Sequence, residues 1–162
     1  IGHRMAPTPL PDWRGLHVVD LLREPIDIAV PEAHPLAGSD SVRPADIAGE
    51  RWIGVPEGYP FDDLRVAVEA AAGARFSIGQ RVRDNRLVEA LVAAGLGIGM
   101  LPRFSTRPGG GIALVPLAGL PTGRIVSVLA RPDVAERAVV AHTIDALRRC
   151  ARAIGGVDAL AP

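Results

Sequence analysis

Residues 95–99, Gly-Leu-Gly-Ile-Gly, are the first candidate for chemistry, because glycine-rich turns can cradle phosphates. A dinucleotide-binding loop needs its glycines after a strand and at the start of a helix, where exposed amides meet the pyrophosphate. Here the order is reversed. Leu87, Val88, Leu91 and Val92 share one face of a helix that Asp84 or Asn85 can cap, and Gly95 stands where a left-handed helix end belongs. Met100 occupies the position of the third glycine. The run therefore reads as a helix cap followed by a short buried strand over residues 97–101, stopped by Pro102.

Other reactive residue types form no constellation. His3, His17, His34 and His142 are scattered, without the spacing of metal ligands, so no metal site is expected. There is no Gly-x-Ser-x-Gly elbow. Asp62 and Asp63 are adjacent carboxylates, but in the first turn of a helix they cap it and complement its dipole. Cys150 is the single cysteine and stands among Arg148, Arg149 and Arg152, with no His or carboxylate placed to make it a nucleophile. No catalytic residue and no cofactor are assigned. What remains is a pair of helix starts that follow strands, one at Tyr59-Pro60-Phe61 and one at Asp84-Asn85-Arg86. On the carboxyl edge of a parallel sheet their amides would favour an anion or a carbonyl, and Arg86 would add positive charge unless it is simply solvated.

Positioning these residues falls to alternating strands and helices. Strands are expected at residues 16–19, 25–30, 52–55, 76–82, 97–101, 112–117 and 125–130, with one helical turn near Pro44. Helices are expected over residues 62–72, with Leu64, Val68 and Ala71 facing inward, and from Asp84 to Gly95. A long final helix starts at Pro132-Asp133 and turns Val140, Ile144, Leu147, Ala151 and Ile154 inward. Ile1-Gly2-His3 looks like the end of a strand. This alternation implies an α/β fold with largely parallel pairing.

Composition narrows the class. With 48% apolar residues in 162, the chain can bury a core, and no stretch is long enough to span a membrane. Eighteen basic residues, all Arg, balance 18 acidic ones, which argues against a stand-alone nucleic-acid binder. The lone cysteine and the lack of a visible signal peptide point to a reducing, cytoplasmic setting.

Four stretches, LLREPIDIAVPEAHPLAG, DIAGERWIGVPEG, DNRLVEALVAAGLGIGMLP and RIVSVLARPDVAERAVVAHTIDALRR, resemble in order the effector-binding domain of LysR-type transcriptional regulators. The resemblance covers residues 1–153, and its most specific pieces are His34-Pro35-Leu36-Ala37 and the unit 87–102. It implies a periplasmic-binding-protein type II-like fold. Two α/β lobes would be joined by crossing strands at 25–30 and 124–130, with the effector in the cleft between them. Residues 31–123 would form a complete second lobe. Residues 1–24 and 125–162 would form a first lobe without its opening strands and helices, and the winged helix-turn-helix that precedes it in the family would be absent from this chain. By the same resemblance one wall of the effector pocket would comprise Pro56, Glu57, Gly58, Tyr59, Pro60 and Phe61, then Asp84, Asn85 and Arg86, then Met100 to Pro102. Where relatives often carry a small hydroxyl residue, this chain has Arg86, which suits an anionic effector such as a small carboxylate. The expected partners are that small-molecule effector, further copies in a homo-oligomer (dimer or tetramer), and DNA only through the N-terminal domain, with no membrane partner. The function implied is binding without chemistry, in which an effector shifts a conformational population. A transport-type solute-binding protein of the same architecture would need an export signal, and a small α/β enzyme would need titratable groups converging in a pocket.

Overall fold

Prolines and glycines punctuate this chain so closely that most elements are short. In a computed structural model of the protein, residues 1–5, 13–107 and 109–154 are described. The proline-broken stretch after residue 5, Pro108, and the tail expected to fray from residue 155 lie outside them. The chain divides into two units, Ile1–Glu24 with Gly123–Pro162, and Pro25–Thr122.

The larger unit begins with β3, Ile26–Pro31, every residue of which is buried up to Val30. Two strands of the smaller unit, β1 (Gly2–Met5) and β2 (His17–Glu24), precede it in sequence. After β3, His34 closes a turn. Its Nδ1 accepts the Leu36 N–H at 3.2 Å, which leaves Nε2 to carry the proton, 3.5 Å from Glu50. The expected turn at Pro44 is a 3-10 helix, Pro44–Ile47, that buries Ile47. Then follow β4 (Arg51–Gly54), α1 (Pro60–Ala72), β5 (Ser77–Arg81), α2 (Asn85–Ala93), β6 (Ile98–Pro102) and β7 (Ile112–Val115).

The sheet order is β5-β4-β6-β3-β7. Parallel pairing is confined to β5-β4 and β4-β6, the strands linked through helices; β3 pairs antiparallel with both β6 and β7. The expectation of largely parallel pairing is thus corrected. The helical crossovers, α1 between β4 and β5 and α2 between β5 and β6, start each next strand in the same direction, whereas β3 pairs with β6 and β7, strands from late in the unit that run the other way. One face packs Trp52, Ile28, Val68 and Phe76, with the Trp52 and Phe76 rings stacked at 4.3 Å. The other packs Ala29, Ile53 and Leu101 under Val88 and Val92 of α2.

Two helix faces differ from the hydrophobic pattern. In α1 the buried residues are Phe61, Asp62, Arg65, Val68 and Glu69, while Ala71 faces solvent and Leu64 is half-buried. The charged residues go inward because they neutralise one another, as described below. In α2 Leu87 stays 49% exposed, and only Val88 and Val92 are buried. The glycine run serves packing. Gly95 adopts φ 73° behind α2, and a Cβ on Gly97 would sit 2.5 Å from the Arg51 carbonyl oxygen, so only glycine lets β6 lie this close to β4.

The smaller unit is a sheet of order β1-β8-β2, with β8 at Arg124–Ala130, antiparallel throughout. The strand expected at residues 16–19 extends to Glu24 because β8 pairs along its length. The final helix is split into α3, Pro132–Ala135, and α4, Ala138–Ile154. Ile144 and Ala151 pack with Val19 and Leu21, whereas Ile154 is exposed. On this sheet Arg4 holds Asp20 with two hydrogen bonds, at 2.9 and 2.8 Å, and buried Ser127 donates to Asp20 at 2.6 Å. The Arg4 hydrogen bond, against the effect of burial, keeps the Asp20 carboxyl below its ordinary range.

Candidate functional site

Because β4, β5 and β6 are parallel, their carboxyl ends share one edge of the larger unit's sheet. The turn after β4 carries Pro56, Glu57, Gly58 and Tyr59, and the chain then enters α1 through Pro60 and Phe61. Tyr59 is the N-cap residue in extended conformation, and Pro60 at the first helical position starts the helix two residues earlier than expected. After β5, Asp84 caps α2 by accepting the Leu87 N–H at 2.9 Å, with Asn85 and Arg86 opening the helix. Met100 and Pro102 lie in the last strand of the three. All three segments singled out from the sequence therefore meet on one edge, although they do not play equal parts there. Glu57, Gly58, Pro60, Asp84 and Arg86 are exposed, and Pro56, Tyr59 and Asn85 partly so. Phe61 and Pro102 are buried and Met100 packs against the core, so these underlie the edge.

Arginines absent from the sequence-based set fasten the edge. Arg81, at the end of β5, donates to the Val55 carbonyl at 2.9 Å and to Glu57 Oε1 at 2.9 Å, tying the turn to the neighbouring strand. Arg65 bridges Asp62 at 2.7 Å and Glu69 at 2.8 Å, all three residues being nearly sealed from solvent. Glu69 also accepts the Phe76 N–H at 2.8 Å. The hydrogen bond from Arg65 outweighs burial and holds the Asp62 carboxyl below its ordinary range, helped by the Gly58 N–H. For Glu69 burial is the largest influence and pushes upward, yet the Phe76 N–H and Arg65 together bring it below the ordinary value. Asp62 is thus a member of an ion network centred on Arg65 rather than a helix cap. Asp62, Arg65 and Glu69 fall at i, i+3 and i+7, a charged stripe that the sequence does display.

Two further arginines shape the surface charge. Arg103, just beyond β6, grips buried Asp27 of β3, its Nη2 lying 2.7 Å from Oδ1, and its own N–H donates to the Pro25 carbonyl. Arg86, expected to supply free positive charge, gives both hydrogen bonds of its Nη1 to Glu89, at 2.9 and 3.1 Å. Arg83 is different. Its guanidinium lies 6.0 Å from the centre of the Tyr59 ring, and no carboxylate of the described residues pairs with it. It therefore joins the turn after β4 to the loop before α2 while keeping an unneutralised charge. Among the described residues no three His, Cys, Asp or Glu converge as metal ligands, and no helix is long and apolar enough to cross a membrane.

Comparison with known proteins places this geometry. The family model described as the LysR substrate binding domain matches residues 4–152. The DNA-binding transcriptional dual regulator OxyR of Escherichia coli K12 is 29% identical over 133 residues, 80% of this chain and 44% of that protein. The HTH-type transcriptional regulator YybE of Bacillus subtilis 168 is 36% identical over 87 residues, 52% of this chain and 29% of that protein. The chain thus spans less than half the length of these curated relatives. Among solved structures, the CcmR regulatory domain of Synechocystis PCC6803 in complex with 2-PG gives a TM-score of 0.73 at 16% identity, covering 93% of this chain and 73% of that one. The effector-binding domain of QuiR in complex with shikimate gives 0.71 at 18%, covering 90% and 69%. These likenesses carry the fold, the α/β periplasmic-binding-protein type II-like class expected from sequence. With a family match running from β1 into α4, the chain belongs to the LysR substrate binding domain family.

Proposed function

We propose that this domain is the sensor of a transcriptional regulator and binds a small anionic metabolite along the carboxyl edge of the larger unit's sheet. The observation that carries the reading is Arg83 beside Tyr59, an unneutralised guanidinium against an aromatic ring at the junction of two segments singled out from sequence. A carboxylate accepts charge-assisted hydrogen bonds from such a guanidinium, and a ring in the ligand stacks on the phenol. QuiR, a structural neighbour, is seen with shikimate, itself a carboxylate, which supports an acid as the class. No bond is made or broken. The effector acts by preferring one conformation, and cytoplasmic location, homo-oligomer formation and DNA contact through an N-terminal domain belong to the regulator as a whole.

A thermal-shift screen with shikimate, benzoate, citrate and succinate tests this. Binding to the native state alone stabilises it by about 2.7 kcal/mol at a ligand concentration about 100 times Kd. The stabilising acid should lose its effect on the Arg83→Ala and Tyr59→Ala variants. Undiminished stabilisation of both edge variants would refute the assignment.

A further inference from the structure

A second surface of the larger unit has the makings of a separate anion site. The loop from β6 to β7 passes beside α2, and between them lies an open hollow of about 390 Å³. Arg86, Glu89 and Ala90 line it from the helix, where spacings of three and four residues put them on one face, and Arg107, Gly109 and Gly110 line it from the loop. Neither Tyr59 nor Arg83 takes part.

Three features of the hollow favour an oxyanion. Arg86 spends only Nη1 on Glu89, so Nε and Nη2, with three of the five guanidinium N–H groups, remain to donate. Arg107 has no carboxylate partner among the described residues. Gly109 and Gly110 have φ of 83° and 77°, and neither N–H reaches a backbone carbonyl of the described residues. Two guanidiniums against one carboxylate leave the hollow with one net positive charge. Its volume falls at the small end of ligand pockets, which run from roughly 300 to 1,000 Å³.

We infer that this hollow binds a small metabolite through a carboxylate or phosphate group held between Arg86 and Arg107, a place that shares Arg86 with the edge described above but uses neither Tyr59 nor Arg83. Glu89 competes with the anion for Arg86 and so weakens the site. The two arginines approach the ligand from different elements, one from α2 and one from the loop. Occupation would therefore fasten the loop to the helix.

The test is amide NMR of the whole chain, titrated with inorganic phosphate and, separately, with succinate at constant ionic strength against a sodium chloride control. The expected result is saturable movement of the Ala90, Gly109 and Gly110 signals by phosphate, succinate or both, with the comparison showing which oxyanion is preferred. Arg107→Ala should weaken binding about ten-fold or more, and Glu89→Gln should tighten it. Arg107 makes no ion pair among the described residues, so its removal should leave the rest of the spectrum in place, which separates lost binding from lost structure. Movements that follow sodium chloride equally well, or an affinity within about two-fold of the parent in Arg107→Ala, would overturn the inference. The edge reading is followed separately through the Tyr59 and Arg83 signals, so either proposal can fail alone.

Discussion

Replacing Arg65 by Met would leave Asp62 and Glu69 enclosed without their shared cation. With side-chain exposures of 9% for Arg65, 11% for Asp62 and 5% for Glu69, solvent cannot take over its role. Breaking a buried ion pair by removing one partner costs about 3–5 kcal/mol. Asp62 would retain Arg81 at 3.9 Å, and Glu69 would retain the Phe76 N–H and the exposed Arg75 at 3.3 Å, which sets the expectation at the lower end, about 3 kcal/mol. Against a total stability of about 5–15 kcal/mol and a urea slope of about 2 kcal/mol/M, the midpoint should fall by about 1.5 M. Trp52 reports the transition, because its ring stacks on Phe76, whose N–H is held by Glu69. Trp13, the other tryptophan, is changed to Phe in both proteins so that the emission comes from the larger unit. The pH dependence adds a second check. In the parent both carboxyls are held below their ordinary values, so their contribution is present above about pH 4 and fades as pH falls through the lowered values. Without Arg65, burial raises them instead, and the cost is relieved as they take up protons. The difference between parent and variant should therefore be greatest near pH 7 and shrink toward pH 4. A loss below about 1 kcal/mol at pH 7, or an equal loss at both pH values, would refute the argument.

Three further substitutions probe other links. Gly97→Ala pushes a methyl against the Arg51 carbonyl oxygen at 2.5 Å and should cost about 1–3 kcal/mol in the same urea assay; no loss would mean that β6 can shift away from β4. Asp84→Ala removes the cap of α2 and should cost about 0.5–2 kcal/mol, with faster hydrogen exchange at the Leu87 amide, while unchanged exchange would show that the cap contributes nothing. Gln80→Met removes a buried side-chain oxygen with no hydrogen-bond partner among the described residues, so stability should hold or rise by up to about 1 kcal/mol; a clear loss in thermal melts would point to a partner for that oxygen.

Elements bounded by strong local chemistry were legible in the sequence. Gly73 and Gly95 end their helices in the left-handed conformation, Asp84 caps, and Pro44 opens its turn. Strand direction was less accessible, because alternation in Ile26, Ile28 and Val30 identifies a strand without naming its neighbours. Those neighbours are β6 and β7, which come from late in the unit and run the other way. The inward face of α1 was misjudged because hydrophobic periodicity does not register charges that satisfy one another; Arg65 is more buried than Leu64. The candidate edge was legible as three segments, since each is a turn or strand end with its own signature. Its fastenings were not, because Arg81 to Glu57 and Arg103 to Asp27 join residues 24 and 76 positions apart. Arg86 was the opposite case, its partner Glu89 lying three residues away in plain view.

The reversed direction of β3 bears on how a sensor could report. Pro25 and Thr122 are the larger unit's two covalent outlets, and both lie at the candidate edge: Ile26 pairs with Pro102, and the Thr122 hydroxyl donates to the Ile26 carbonyl at 2.9 Å. A parallel β3 would have put the first outlet at the far end of the sheet, roughly 16 Å away across the 6 residues of β3. As built, a molecule that stiffened the edge would restrain both outlets within the same hydrogen-bonded layer, and a signal would leave the unit without crossing its core.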